Sequence, residues 1–227
     1  MSGATRSIAM PMMVASRRSL LFNAEFLDDV ERVRIATENR VRAISEDGPA
    51  PATYIDQVDA FKRIEHEATL ELQRAMRVHP LGAWVKRSKG VGEKQAARLL
   101  AAIGDPYIRP AMYDEEGNVS EPERPRRGPA ELWALCGFVP GQKRTAGVKS
   151  NWNPTAKMRA FLIAESCVKC LDSPYRATYD AARASWADRD VKDGHKHNHA
   201  LRLTAKAILR DLYIEARAVA VAADGCK

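Results

Sequence analysis

With 227 residues the chain is long enough for one or two domains that bury a true hydrophobic core. Lys and Arg outnumber Asp and Glu by 36 to 29, and the resulting formal charge of +7 favours an anionic partner such as nucleic acid. No run of about 20 apolar residues occurs, which excludes a membrane-spanning helix, and four cysteines (Cys136, Cys167, Cys170, Cys226) do not make a disulfide framework, so a reducing cytoplasm is the expected compartment.

The first 25 residues, with Arg6, a short apolar patch broken by Pro11, and Arg17-Arg18, read as a flexible arm rather than a signal or transit peptide. From Phe26 to Ile44 the apolar residues Phe26, Val30, Val33, Val41 and Ile44 step by three and four, with Thr37 filling the gap and charges on the other faces. That spacing predicts an amphipathic helix. Gly48, Pro49 and Pro51 break it. A second long helix is expected over about Tyr54 to Val78, with Val58, Phe61, Ile64, Ala68, Leu72 and Ala75 on one stripe. Residues 26–79 therefore form an antiparallel helical hairpin. It is either a plain packing hairpin or a coiled-coil arm that pairs two subunits.

His79-Pro80 ends the hairpin, and a helical domain follows over residues 80–223. Leu81 to Arg87 predicts a short helix, Gly90-Val91-Gly92 a turn, and Glu93 to Ile103 another helix closed by Gly104. A Pro-rich, aperiodic loop is expected over 105–128. Pro129 opens a short helix, since proline suits a first turn. The stretch from Phe138 to Asn153 is irregular or a small β-hairpin. Helices are expected over Pro154–Leu171, Pro174–Asp188 and Ala200–Ala222. The fold class is all-α, with the hairpin preceding a domain that contains a helix-hairpin-helix.

The Gly90-Val91-Gly92 turn carries the strongest chemical signal. Two glycines around one apolar residue allow positive φ and a close backbone approach, while Val91 plugs into the core. Unpaired N–H groups at the start of the next helix, aided by its dipole, can hold a phosphate. Lys86, Arg87 and Lys89 precede the turn and Lys94 follows it. A basic first turn opposes the helix dipole, so a phosphate is the favoured reason for Lys94, against the alternative of a structural turn. From Leu132 to Ala164 there is no Asp or Glu, while Lys143, Arg144, Lys149, Lys157 and Arg159 stand there with Trp152. Such a gap suggests a face turned to a polyanion. Trp152 either stacks on a base or packs in the core.

Other candidates carry less. His195, His197 and His199 alternate ahead of the final helix, and are weak candidates for a metal site beside the reading of a polar lead-in. Cys167 and Cys170 form a lone C-x-x-C inside a helix, without a second pair at zinc spacing, and read as core. Neither a phosphate-binding Walker loop nor a dinucleotide fingerprint is present, and no cofactor is expected.

The order of five blocks is similar to one family. KGVGEKQAARLLAAIGDP, GPAELWALCGFVPGQKRTAG, NPTAKMRAFLIAESCVK, SPYRATYDAAR and ALRLTAKAILRDLY resemble, over Leu81 to Tyr213, the C-terminal domain of DEDD-type insertion-sequence transposases, a group that includes bridge-RNA-guided recombinases and pilin-gene invertases. The resemblance implies that the hairpin matches the coiled-coil region that makes dimer contacts in that family. It also implies an N-terminal RNase-H-like domain with four metal-binding acids, which only about 25 residues before the hairpin cannot hold, and a nucleophilic serine in the loop where this chain reads PGQKRTAGVKS. Thr145 stands near the expected serine and Ser150 follows it. A hydroxyl nucleophile needs a base or metal to activate it.

The expectation is therefore a cytoplasmic, homodimeric DNA-binding protein of a mobile element or phage, transposase-like but not catalytic on its own. Its contacts are Lys86, Arg87, Lys89, Gly90, Val91, Gly92 and Lys94, extended by Lys143, Arg144, Lys149, Trp152 and Lys157. The alternatives are a recombinase subunit that uses Thr145 or Ser150 beside a separate catalytic domain, and an RNA-binding or scaffold protein.

Overall fold

A computed structural model of the chain describes residues 9–46, 48–109, 126–141 and 145–225, with helical side chains described from 18 to 223. The fold is all-α, with eight helices among the described residues. The first helix, α1 (Ala9–Ser45), is about 55 Å long at 1.5 Å per residue. After Gly48 and Pro49 the chain reverses into α2 (Ala52–Val78). Arg34 pairs with Glu65, and Glu38 lies 3.9 Å from Lys62. As one residue number rises the other falls, which is the register of an antiparallel pair.

α1 begins well before Phe26, so residues 9–25 are helix rather than a flexible arm. The reason lies in Leu20, Ala24 and Leu27, spaced by four and three, which are all buried. They extend the apolar stripe upstream and dock it against the rest of the molecule. On α2 the buried stripe is Val58, Ala68, Leu72 and Met76. Towards the loop the hairpin exposes Ile35, Ile44, Tyr54, Ile55 and Ile64. The base of the hairpin thus lies in the common core, and its tip does not.

His79 and Pro80 lead into α3 (Gly82–Arg87), and a turn leads to α4 (Glu93–Ile103). Gly104, at φ +71°, ends α4. Part of the Pro-rich loop, 110–125, lies outside the described residues; Ile108 and Arg126 form one isolated antiparallel bridge across it. Then come α5 (Pro129–Leu135), α6 (Pro154–Lys169), α7 (Arg176–Ala184) and α8 (Asp193–Gly225). Between α5 and α6 the described residues form turns, with no strand, so the β-hairpin alternative does not hold there. α8 starts seven residues before the expected Ala200, and His195, His197 and His199 sit in its first turns.

One core joins these elements. Leu27 of α1, Leu72 of α2, Leu99 of α4, Leu132 of α5, Ile163 of α6 and Leu209 of α8 are all sealed from solvent. The hairpin base and the domain after His79 therefore share a single hydrophobic cluster.

Candidate nucleic-acid interface

The α3–α4 unit is a helix-hairpin-helix in its geometry. Trp84 and Val85 of α3 are buried, as are Ala96, Ala97, Leu99 and Leu100 of α4, so the two short helices are held by their shared apolar side. Between them the Val91 N–H donates to the Ser88 carbonyl at 2.9 Å, which closes the turn. Val91 is buried, as its role as a plug requires.

The two glycines do different work. Gly90 has φ +88°, and a Cβ there would stand 2.7 Å from the Cys167 Cα of α6. It needs both the left-handed backbone and the space. Gly92 is extended (φ −77°, ψ 140°), and nothing lies within 4 Å of where its Cβ would be. It is the residue before α4, and no side chain caps that helix. The first helical bond runs from the Ala96 N–H to the Gly92 carbonyl at 2.9 Å. Among the described residues no acceptor takes the N–H groups of Glu93, Lys94 and Gln95. Open space beside Gly92 thus adjoins three free donors at the positive end of a helix.

No family model, curated protein or solved structure matches this chain. The site is therefore read from its own chemistry.

The cations around the turn are mostly engaged by the protein itself. Lys94 donates to Glu31 of α1 at 2.7 Å, so its place in the first turn of α4 is explained by a carboxylate of the hairpin rather than requiring a phosphate. Lys89 lies 3.0 Å from Asp172, which holds its ammonium above the usual range. Arg87 pairs with Glu215 of α8. The pair Lys89–Asp172 is well exposed on both sides and exchanges easily with other ions, whereas Lys94–Glu31 is mostly covered. Lys86 is exposed, with no carboxylate partner among the described residues.

Behind Lys94 lies a charge cluster that the sequence reading missed. Arg98 of α4 pairs with Asp28 and Glu31 of α1, and Arg159 of α6 reaches Asp28 at 2.7 Å. The Arg98 side chain is 3 % exposed. Burial pushes the Glu31 carboxyl up, but hydrogen bonds from Arg98 and Lys94 outweigh it and hold the group below its ordinary value. Asp28 and Glu31 are three apart on one helix, and Lys94 and Arg98 are four apart on another. That match of same-sign pairs at helical spacing was the available signal.

In the acid-free stretch, Lys143 and Arg144 lie outside the described residues, and Lys149 is exposed. Trp152 is half-buried with its ring edge on Gly137, where a Cβ would come 2.7 Å from Cδ1. It packs rather than standing free, and the Lys157 ammonium lies 5.1 Å from its ring centre. Asn153 caps α6 by accepting from the Ala156 N–H at 3.0 Å, and its side-chain amide donates to the Ala102 carbonyl. This ties α6 to α4.

Neither the Thr145 nor the Ser150 hydroxyl meets a base among the described residues; Thr145 uses its carbonyl to accept from the Val148 N–H. The three histidines diverge. His195 is exposed, His197 Nδ1 lies 2.7 Å from the Tyr179 hydroxyl, and His199 stacks on Trp186. No metal-ligating group of three forms among the described residues. Burial raises the Cys136 thiol to about 12 and the Cys167 thiol to about 11, so both stay protonated as core residues. Cys226 lies outside the described residues.

Proposed function

We propose that this chain binds nucleic acid through the α3–α4 turn, with duplex DNA as its first target, and that it acts as a positioning module without catalysis of its own. The observation that carries the reading is the open face at Gly92 before the uncapped start of α4. A phosphate oxygen placed there accepts from backbone N–H groups, and the helix dipole favours its charge. Exposed Lys86 and the easily exchanged Lys89 add sequence-independent attraction. The order of sequence blocks that resembles the transposase domain supports the same reading, and with it a cytoplasmic role in DNA recombination of a mobile element and a homodimer formed through the α1–α2 hairpin. The unactivated hydroxyls of Thr145 and Ser150 favour binding over strand transfer.

The test uses Gly92→Asp. The site is open and extended, so aspartate fits and caps α4, while its carboxylate occupies the phosphate position. Fluorescence anisotropy with duplex DNA, single-stranded DNA and structured RNA, at two salt concentrations, should show steep salt dependence and a loss of about tenfold or more in the variant. Unchanged affinity in a folded Gly92→Asp protein overturns the turn as the contact. Tighter binding to structured RNA than to duplex DNA reassigns the target.

A further inference from the structure

The cations of the turn are largely matched by carboxylates, but a second group of cations is not. At the start of α8, His199 lies flat on Trp186, with ring centres 3.7 Å apart and planes 9° apart. The Arg189 guanidinium lies 4.5 Å from the Trp186 ring centre. His199 already fills one face of the indole at van der Waals distance, so Arg189 occupies the other. Arg202 reaches His199 Nδ1 with one guanidinium nitrogen at 3.3 Å. Arg189, Trp186 and His199 thus form one stack, with Arg202 at the edge of its imidazole.

Its charges are unmatched. Among the described residues neither Arg189 nor Arg202 has an ion-pair partner. Asp188 and Asp190 flank Arg189 in the chain without pairing to it, and Asp193 pairs with Arg183 instead. The titrating groups register the excess positive potential. Burial, then Arg202, then Arg189 lower the His199 imidazolium below its usual range, and burial followed by Arg202 lowers the Lys157 ammonium.

We propose that the Arg189–Trp186–His199 stack, with Arg202 at its edge, is a second contact surface for the phosphates of nucleic acid. The indole holds the Arg189 guanidinium in place without taking its N–H donors, and a pre-ordered fork matches a phosphate with little further loss of side-chain freedom. Each unpaired guanidinium can take one phosphate of the backbone, and the bound anions offset charge that the fold leaves unmatched. The choice of nucleic acid as the polyanion rests on the function proposed above; the surface itself does not depend on the turn.

The experiment measures binding of the full chain to a duplex DNA by anisotropy across a salt series, with circular dichroism on every variant. Arg189→Gln/Arg202→Gln should weaken binding about tenfold and reduce the log–log salt slope by about 2, one per lost phosphate contact. Arg189→Lys/Arg202→Lys should keep the slope and lose only part of the affinity. If the double glutamine variant loses helicity, Arg189→Gln alone, which removes a side chain resting on Trp186, should still lower the slope by about 1. A folded glutamine variant with affinity and slope equal to the parent, while Gly92→Asp loses binding, overturns the stack and leaves the turn standing. The reverse pattern supports the stack and overturns the turn. No DNA binding by the parent at low salt overturns both, as does binding to phosphatidylserine vesicles in place of DNA.

Discussion

The Lys94 ammonium lies 2.7 Å from the Glu31 carboxylate, joining the first turn of α4 to the middle of α1. Arg98, one turn further along α4, meets the same carboxylate. The hairpin is therefore clamped to the helix-hairpin-helix by charge as well as by apolar packing. Glu31→Gln frees Lys94 and leaves Arg98 with Asp28 alone, which loosens the clamp. Loss of a buried ion-pair partner should cost about 1–3 kcal/mol in urea unfolding at neutral pH. The folded Glu31 carboxyl is held low, so its stabilisation is present above the unfolded value near 4.5 and fades as pH falls through the folded one. The variant should show a shallower loss of stability on that acid side.

Gly90 and Gly92 should respond in opposite ways to alanine. At Gly90 the methyl group meets the Cys167 backbone and the left-handed φ is disfavoured, so Gly90→Ala should cost roughly 2 kcal/mol or more. At Gly92 the methyl enters open space at an ordinary φ, and the change should stay within about 1 kcal/mol. Denaturant midpoints of the two variants, measured side by side, check this.

His79 makes a pH-dependent contribution at the junction of α2 and α3. Its Nδ1 accepts from the Leu81 N–H at 3.1 Å, and burial lowers its imidazolium to about 4 despite the attraction of Asp105. The folded protein thus resists a proton that the unfolded chain takes up near 6.5. Stability should be full above that pH and decline as pH falls from about 6.5 to about 4, by order 1–3 kcal/mol. His79→Asn keeps an acceptor and should flatten the decline, as read from melting temperature against pH.

Leu27 and Leu72 test the shared core. Both are fully buried, one on each arm of the hairpin, and truncation to alanine should cost about 2–5 kcal/mol. Because they belong to the same cluster as Leu99 and Leu209, unfolding should remain a single transition shifted to lower denaturant. Ile44→Ser near the tip, where the side chain is exposed, should change stability by under about 0.5 kcal/mol in the monomer. Two separate transitions in the Leu72→Ala protein would show that the arms and the domain fold apart.

Most of the helices were legible from apolar spacing, because each buries one side and exposes the other. The stripe Val58–Ala68–Leu72 marked α2. The turn was legible too, since glycine, a small apolar plug and glycine constrain a backbone locally. The ends of α1 and α8 were not. Leu20 and Ala24 become a buried stripe only because the rest of the core lies against them, and His195, His197 and His199 occupy the start of a helix held there by Tyr179 and Trp186, contacts that only the fold creates.

The amino-acid sequence by itself determined the all-α class, the two long arms, and a Gly90-Val91-Gly92 turn with a buried valine, because these follow from periodicity and local backbone freedom. Only the tertiary structure decided what the charges do. A lysine in a first helical turn carries no mark of its partner: Lys94 meets Glu31 across 63 residues of chain, and Arg87 meets Glu215 across 128. Arg189 and Arg202 meet no carboxylate among the described residues but sit instead against one indole and one imidazole. Coulomb attraction depends on distance in space, and folding sets that distance between residues far apart in the chain.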